Sequence, residues 1–331
     1  MAAHRDPKSQ KVSPAVRRWI VLAGSLVLTA VTLYFVFRGI DGRLLQRLVA
    51  RQSLGFLAGA GCFLVLQIVF GGERWRTILG ALTRNKPSAL NVQAVYYASI
   101  FFNSLPIGTV GGDVVRIWLA RRFALSTKRI ILSVLIDRVL VVLALMVLAA
   151  VTLPLIEQPF ALDAWFAIAA LLCCTVTGFL LLRPIERILG RWRDLGLVAL
   201  ALRTMEELRA IARKGAPLGL FYAVLSSGCY ALGAYCIGCS LGIGVGPIAM
   251  IAVMSIIIFV TALPISLAGW GVREVSVVAL LGFLGVDHAA ALLLSIEFGL
   301  LSTLLSLPGG AIWLGLRERA PAWLPPQSSG A

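Results

Sequence analysis

Apolar residues in this chain run in long stretches, without the two-residue alternation of half-buried strands or the stripe of a surface helix. Runs of about twenty such residues match the ~30 Å apolar core of a bilayer. The stretches Trp19–Phe37, Leu54–Gly72, Ile130–Leu153, Asp163–Leu182, Pro217–Leu241 and Ala289–Leu314 predict spanning helices. Two others, Ala89–Ala120 and Gly246–Val286, are interrupted by proline, glycine and charge. Arg183–Lys214 is too polar to span. Its Val198, Ala201, Met205, Leu208 and Ile211 recur at helical spacing and predict an amphipathic helix on the cytoplasmic leaflet. The fold class is all-α, a polytopic membrane bundle.

The two interrupted stretches carry one phrase twice. Leu105-Pro106-Ile107 leads through Gly108, Gly111 and Gly112 to Asp113 and Arg116. Leu263-Pro264-Ile265 leads through Gly269, Trp270 and Gly271 to Arg273 and Glu274. An acid follows each inside an apolar run, Asp137 beside Arg138 in the first case and Glu297 in the second. Proline removes a backbone donor and glycine weakens a helix, so the chain should break at 106–112 and 264–271. Broken backbone at membrane depth is tolerated only inside protein or against a wet cavity. Matching interruptions in two halves point to a translocation site.

Composition fixes the class and charge the orientation. With 59% hydrophobic and 14% charged residues, one soluble core could not hide the apolar surface. The net charge of +15 does not indicate nucleic acid, because basic residues gather in short loops. Arg5, Lys8, Lys11, Arg17 and Arg18 precede the first span, and further groups lie in 73–88, 116–129 and 183–214, with Arg317 and Arg319 at the end. These mark the cytoplasmic side and place both termini there. Arg38, Arg43, Arg47 and Arg51 fall on the other side by this count. The first apolar run reads as an anchor, not a cleaved signal. The six cysteines sit in apolar segments and read as helix-packing residues, and nothing calls for a metal or cofactor.

The domain reading is a basic N-terminus at 1–18, a membrane domain at 19–316 and a disordered tail at 317–331. Within the membrane domain, halves at about 89–153 and 246–314 flank the amphipathic segment 183–215. The first interrupted hairpin enters from the cytoplasmic side and the second from the opposite side. Together they form an inverted repeat, an architecture suited to alternating access. The half-helices after Gly112 and Gly271 would direct free amides at an anion, with Arg116 and Arg273 adding charge. Each motif also has a structural reading. Gly111-Gly112 could be a packing site, Asp137-Arg138 an ion pair within the bundle, and Asp113 and Glu274 counter-charges to Arg116 and Arg273. Glu297 would pair with Arg273 or stay protonated. Arg74-Trp75-Arg76 reads as an interfacial anchor, with the tryptophan at headgroup level.

Asn103-Ser104-Leu105-Pro106, Gly111-Gly112-Asp113, Arg116, Asp137-Arg138, and Pro264 followed by Gly269-Trp270-Gly271-Val272-Arg273-Glu274 together resemble the flippase-like family. This is the transmembrane region of bacterial lysylphosphatidylglycerol synthases, with free-standing relatives of uncharacterised protein family 0104. Arg74-Trp75-Arg76 is similar to that family's early motif. The resemblance implies substrate contacts at Asn103, Pro106, Gly111, Gly112, Asp113, Arg116, Pro264, Gly269, Gly271, Arg273 and Glu274. It implies switching ion pairs at Asp137, Arg138 and Glu297. It also implies an inner-membrane protein that moves a membrane lipid between leaflets, with a lipid-biosynthetic enzyme as a further candidate partner. No soluble synthase domain follows Leu314 in this sequence, so the resemblance does not carry synthase activity with it. A membrane enzyme or accessory subunit of lipid biosynthesis is the alternative.

Overall fold

Hydrocarbon offers no partner for backbone polar groups, and a helix satisfies them within one segment. The computed structural model describes residues 52–83, 87–104, 111–123, 125–157, 162–173, 177, 196–262 and 272–317, with side chains of the helix from 196 described from residue 214. Among these residues there is no strand. The helices are α1 (Leu54–Leu82), α2 (Ala89–Ser104), α3 (Gly111–Ala120) and α4 (Thr127–Thr152). They continue with α5 (Leu162–Cys173), α6 (Gly196–Ser240), α7 (Pro247–Ala262), α8 (Val272–Gly282) and α9 (His288–Arg317). Among the described residues four stretches are long and apolar enough to cross a membrane: Leu54–Leu82, Thr127–Leu155, Lys214–Ser240 and His288–Leu316. The predicted span Trp19–Phe37, residues 174–176 and 178–182 of Asp163–Leu182, the tail from 318, and Pro106, Pro264, Gly269 and Gly271 lie outside the described residues.

Two boundaries differ from expectation. Helix α1 continues to Leu82 and does not stop at Gly72. The polar run after Gly72 does not end it, because Glu73 and Arg76 pair one turn apart at 2.9 Å and Arg74 finds its counter-charge inside the bundle. Helix α6 is continuous from Gly196 through Pro217 to Ser240, so the described part of the amphipathic segment and the following span are one element. A proline costs a helix one donor, and neighbouring helices in a membrane bundle can satisfy the freed group.

Helices α1 and α6 form an antiparallel spine. The Ser53 amide donates to Ser240 Oγ at 3.0 Å, and Ser226 Oγ donates to the Gln67 carbonyl at 3.1 Å. Between these points Gly233 lies against Ala60 and Leu64, and Gly59 against Cys236. Contacts therefore repeat every seventh residue on both helices, the spacing of a left-handed coiled coil, with small residues letting the backbones approach.

The spine carries a different apolar core toward each end. Toward the start of α1, Ala60 and Leu64 join Ile237, Met250, Val277, Leu294 and Phe298 from α6 to α9. Toward its other end, Ile68, Trp75 and Leu79 join Val92, Leu119 and Ile130 from α2 to α4, with Trp313 packed alongside. Helix α2 packs on α9, and α7 packs on α4. The contact of α2 with α9 is close: a Cβ on Gly309 would meet the Tyr97 carbonyl, and Tyr97 Oη donates to the Leu305 carbonyl at 2.6 Å.

Helices α6 and α8 end in the same way. Gly242 and Gly285 have φ of 72° and 77°, and the next amide reaches back five residues, Ile243 to Gly238 at 2.9 Å and Val286 to Leu281 at 3.1 Å. Such left-handed terminators suit glycine. Asp287 then opens α9 by accepting the Ala289 amide at 2.9 Å.

Candidate functional site

At the end of the bundle served by α2 to α4, five charged side chains form one chain of contacts. Asp137 on α4 is its centre. Arg74 of α1 grips it with two donors, Nε to Oδ1 at 2.6 Å and Nη2 to Oδ2 at 3.2 Å. Arg116 of α3 donates Nη1 to the same Oδ2 at 2.9 Å. One turn earlier on α3, Asp113 accepts Arg116 Nη2 at 3.2 Å, and its other oxygen takes Arg138 Nε and Nη2 at 3.0 and 2.9 Å. Arg74, Arg116 and Asp137 are buried. Removing such charges from water costs several kcal/mol per ion unless partners are close, and the two arginines on Asp137 meet that requirement.

Aromatic side chains complete this frame. The Arg116 guanidinium lies 5.0 Å from the Trp75 ring centroid and 5.5 Å from that of Tyr96, within cation–π range. Trp75 Nε1 donates to Ser133 Oγ at 3.2 Å, and Tyr96 Oη accepts from Arg74 at 3.3 Å. Gly112 sits where a Cβ would run into the Ser99 carbonyl and Asn103. Its amide donates to Asn103 Oδ1 at 3.1 Å. The approach of α3 to α2 thus gives the Gly112 amide to Asn103.

The other end carries the charged pair of the second motif. On α8, Arg273 Nη2 and Nε reach Glu274 Oε1 at 2.8 and 3.2 Å. Glu274 is fully buried and also accepts from Ser295 Oγ of α9 at 3.4 Å. Arg116 and Asp137 are 21 residues apart, and so are Glu274 and Ser295. Helices α8 and α9 thus repeat the bond between α3 and α4, with Glu and Ser in place of Arg and Asp. Arg273 crosses α9 at Gly299, where a Cβ would strike its guanidinium.

Several sequence expectations change here. Arg74 and Trp75 are not an interfacial anchor, since both are buried against α4. The Asp137 charge has to be matched from a neighbouring helix, and the Arg74 position on α1 faces it. Arg76 is partly exposed and donates to the Pro87 carbonyl at 3.2 Å, tying the end of α1 to the segment before α2. Glu297 is hydrogen-bonded by Gln52, next to α1, while Arg273 is taken by the adjacent Glu274. Asp137 and Arg138 reach different partners, as adjacent helical residues must. Sequence reading missed Tyr96, Ser133, Gln52 and Ser295. Of these, only Ser295 had a signal, the 21-residue spacing.

Two cavities lie between the sites. One of about 190 Å³ is lined by Arg74, Asp113, Arg116, Asp137 and Arg138 with Gln67, Asn103 and Tyr230. One of about 280 Å³ shares Gln67, Asn103, Arg138 and Tyr230, and reaches Arg273, Ser302 and Thr303. Residues 21–310, which include both sites, match the family described as lysylphosphatidylglycerol synthase TM region. The chain belongs to that family. With the four long apolar helices among the described residues, this makes it a multi-pass membrane protein. Comparison with curated proteins finds no match.

Proposed function

We propose that this member of the family translocates a phospholipid, or another lipid-linked anionic molecule, between leaflets of a bacterial inner membrane. In this reading both termini are cytoplasmic and the chain catalyses no covalent step. The observation that carries it is the convergence of Arg138 and Arg273 on one cavity from the two halves of the membrane domain. Gln52 and Arg74, which serve the two ends, are separated by roughly 33 Å along α1 at 1.5 Å per residue, about a hydrocarbon core. An anion between them would meet a charged group whichever face is open. The reading takes the hairpins as inverted repeats, supported by the matching 21-residue bonds and by the pairing of α2 with α9 and α7 with α4.

The arginines divide the work. The Arg116 side chain is 2% exposed and held by two carboxylates, so it holds the frame. The Arg138 side chain is 48% exposed and lines both cavities, so it takes the headgroup. Arginine suits this role because its planar fork binds phosphate through two parallel hydrogen bonds. The test is reconstitution in liposomes carrying fluorescent phosphatidylglycerol, following loss of inner-leaflet label to external dithionite. Wild-type protein should accelerate that loss, and Arg138→Gln with Arg273→Gln should abolish the acceleration. An unchanged rate in the double variant would remove the proposal.

A further inference from the structure

We infer that Glu297 is a proton-binding site linked to the cavity of Arg138 and Arg273, and that a proton gradient acting through it drives the movement. This inference deepens the translocation reading and rests on it. Its first support is the company each acid keeps. Asp113, Asp137 and Glu274 all touch arginine. Glu297 Oε1 instead accepts from Gln52, a neutral amide. Its Oε2 is buried with no hydrogen-bond partner among the described residues. A bare carboxylate at membrane depth is costly, and a proton on Oε2 removes the charge. A metal ion would need several ligands. No group of three or more Asp, Glu, His or Cys side chains stands together among the described residues.

The second support is what surrounds this acid. Helix α9 packs on α1, α2, α6 and α8. From α8 come Arg273 and Glu274, which meet α9 at Gly299 and Ser295. Each of those positions is two residues from Glu297, about 200° round the helix, so the pair meets another face. From α6 come the thiols of Cys236 and Cys239 and the ring of Tyr230, which stands edge-on to Phe298 at 4.6 Å. From α2 comes Tyr97, bonded two turns further on at Leu305. Asp287 and His288 lie at the start of α9, about 14 Å away along its axis. Arg51, next to Gln52 in sequence, lies outside the described residues. Among the described residues, then, no cation is bonded to Glu297.

The third support is the link to the cavities. Glu297, Phe298 and Gly299 are consecutive. The first meets Gln52, the second packs on Tyr230, and the third lies under the Arg273 guanidinium. Tyr230 lines both cavities. A shift of α9 that follows gain or loss of charge at Glu297 therefore moves a cavity wall and a cargo-binding arginine together. The proton adds to Oε2 from water at one face and leaves to water at the other. No other bond changes.

The test uses the full chain in sealed proteoliposomes carrying fluorescent phosphatidylglycerol, with the membrane potential clamped by potassium and valinomycin. A gradient of one pH unit, about tenfold in proton activity, should change the wild-type rate severalfold relative to equal pH on both faces. Glu297→Gln, which fixes the neutral form, should lose that response, and Glu297→Asp should keep part of it. A wild-type rate indifferent to the gradient, or a response surviving in Glu297→Gln, would overturn the inference. The second readout is the infrared carbonyl band of a protonated carboxyl in the purified chain. It is taken as the difference between wild type and Glu297→Gln across a pH titration, and should fade as pH rises. No band at any pH, as for a carboxylate held ionised by Arg51 or another cation, would overturn the inference, and so would a band that never titrates. A titrating band in a protein that moves no lipid under any gradient would keep the proton site and discard translocation with its drive. Lipid movement that ignores both the gradient and Glu297→Gln would do the reverse.

Discussion

The two ends of the bundle use one frame for unlike purposes. At one end Asp137 is held by two arginines, and Arg116 is flanked by Trp75 and Tyr96. At the other, the Arg273–Glu274 pair meets a serine where the first end has an aspartate. The backbone contacts differ as well. Gly112 brings α3 against the backbone of α2, whereas Gly299 makes room only for the movable end of a side chain. The first end is therefore a cross-linked, rigid site, and the second an arginine laid over a smooth helix. Matching motifs thus yield one fixed and one adjustable site, an asymmetry that would suit the proposed translocation, in which what is bound must be released.

The largest effect should come from the centre of the rigid end. Asp137→Ala strands two buried arginines and should destabilise the protein by ~3–5 kcal/mol, the cost of breaking a buried pair. Glu274→Ala removes one partner of an arginine at the edge of a cavity and should cost clearly less, with both read by unfolding in detergent. Equal losses would erase the contrast between the ends. The glycines come next. Gly112→Ala forces a methyl into a carbonyl and should cost ~1–3 kcal/mol, as overpacking does. Gly299→Ala should leave stability nearly unchanged, since Arg273 can swing aside, yet it should slow translocation by displacing that guanidinium from the cavity. Ser295→Ala should be smallest, about 0.6 kcal/mol, the average for a hydrogen bond between membrane helices.

What the sequence disclosed follows from what burial costs. Arg116, Asp137 and Arg138 stand out because charge inside an apolar run is expensive, and the repeated Leu-Pro-Ile marks where helices must break. Arg74 and Trp75 were misplaced because a charged-aromatic run after an apolar helix has the same pattern at a membrane interface as inside a bundle. Only the location of Asp137 on a neighbouring helix separates the two cases. Ser295 and Gln52 are neutral and carry no burial signature, so their parts in binding Glu274 and Glu297 depend on tertiary structure. The acids Asp137 and Glu297 looked equivalent by order along the chain. By spacing, Asp137 corresponds to Ser295, and the resemblance between the acids is coincidental.

The central claim is that one cavity between a fixed and an adjustable site opens in turn to both faces of the membrane. The most direct measurement is the accessibility of Ser302→Cys, in a chain whose native cysteines are replaced by alanine, to a charged, membrane-impermeant thiol reagent. The reagent is supplied outside or trapped inside sealed proteoliposomes. Labelling from both faces, slowed by phosphatidylglycerol, is the predicted result. Labelling from one face only, whatever lipid is present, would contradict alternating access and the translocation reading with it.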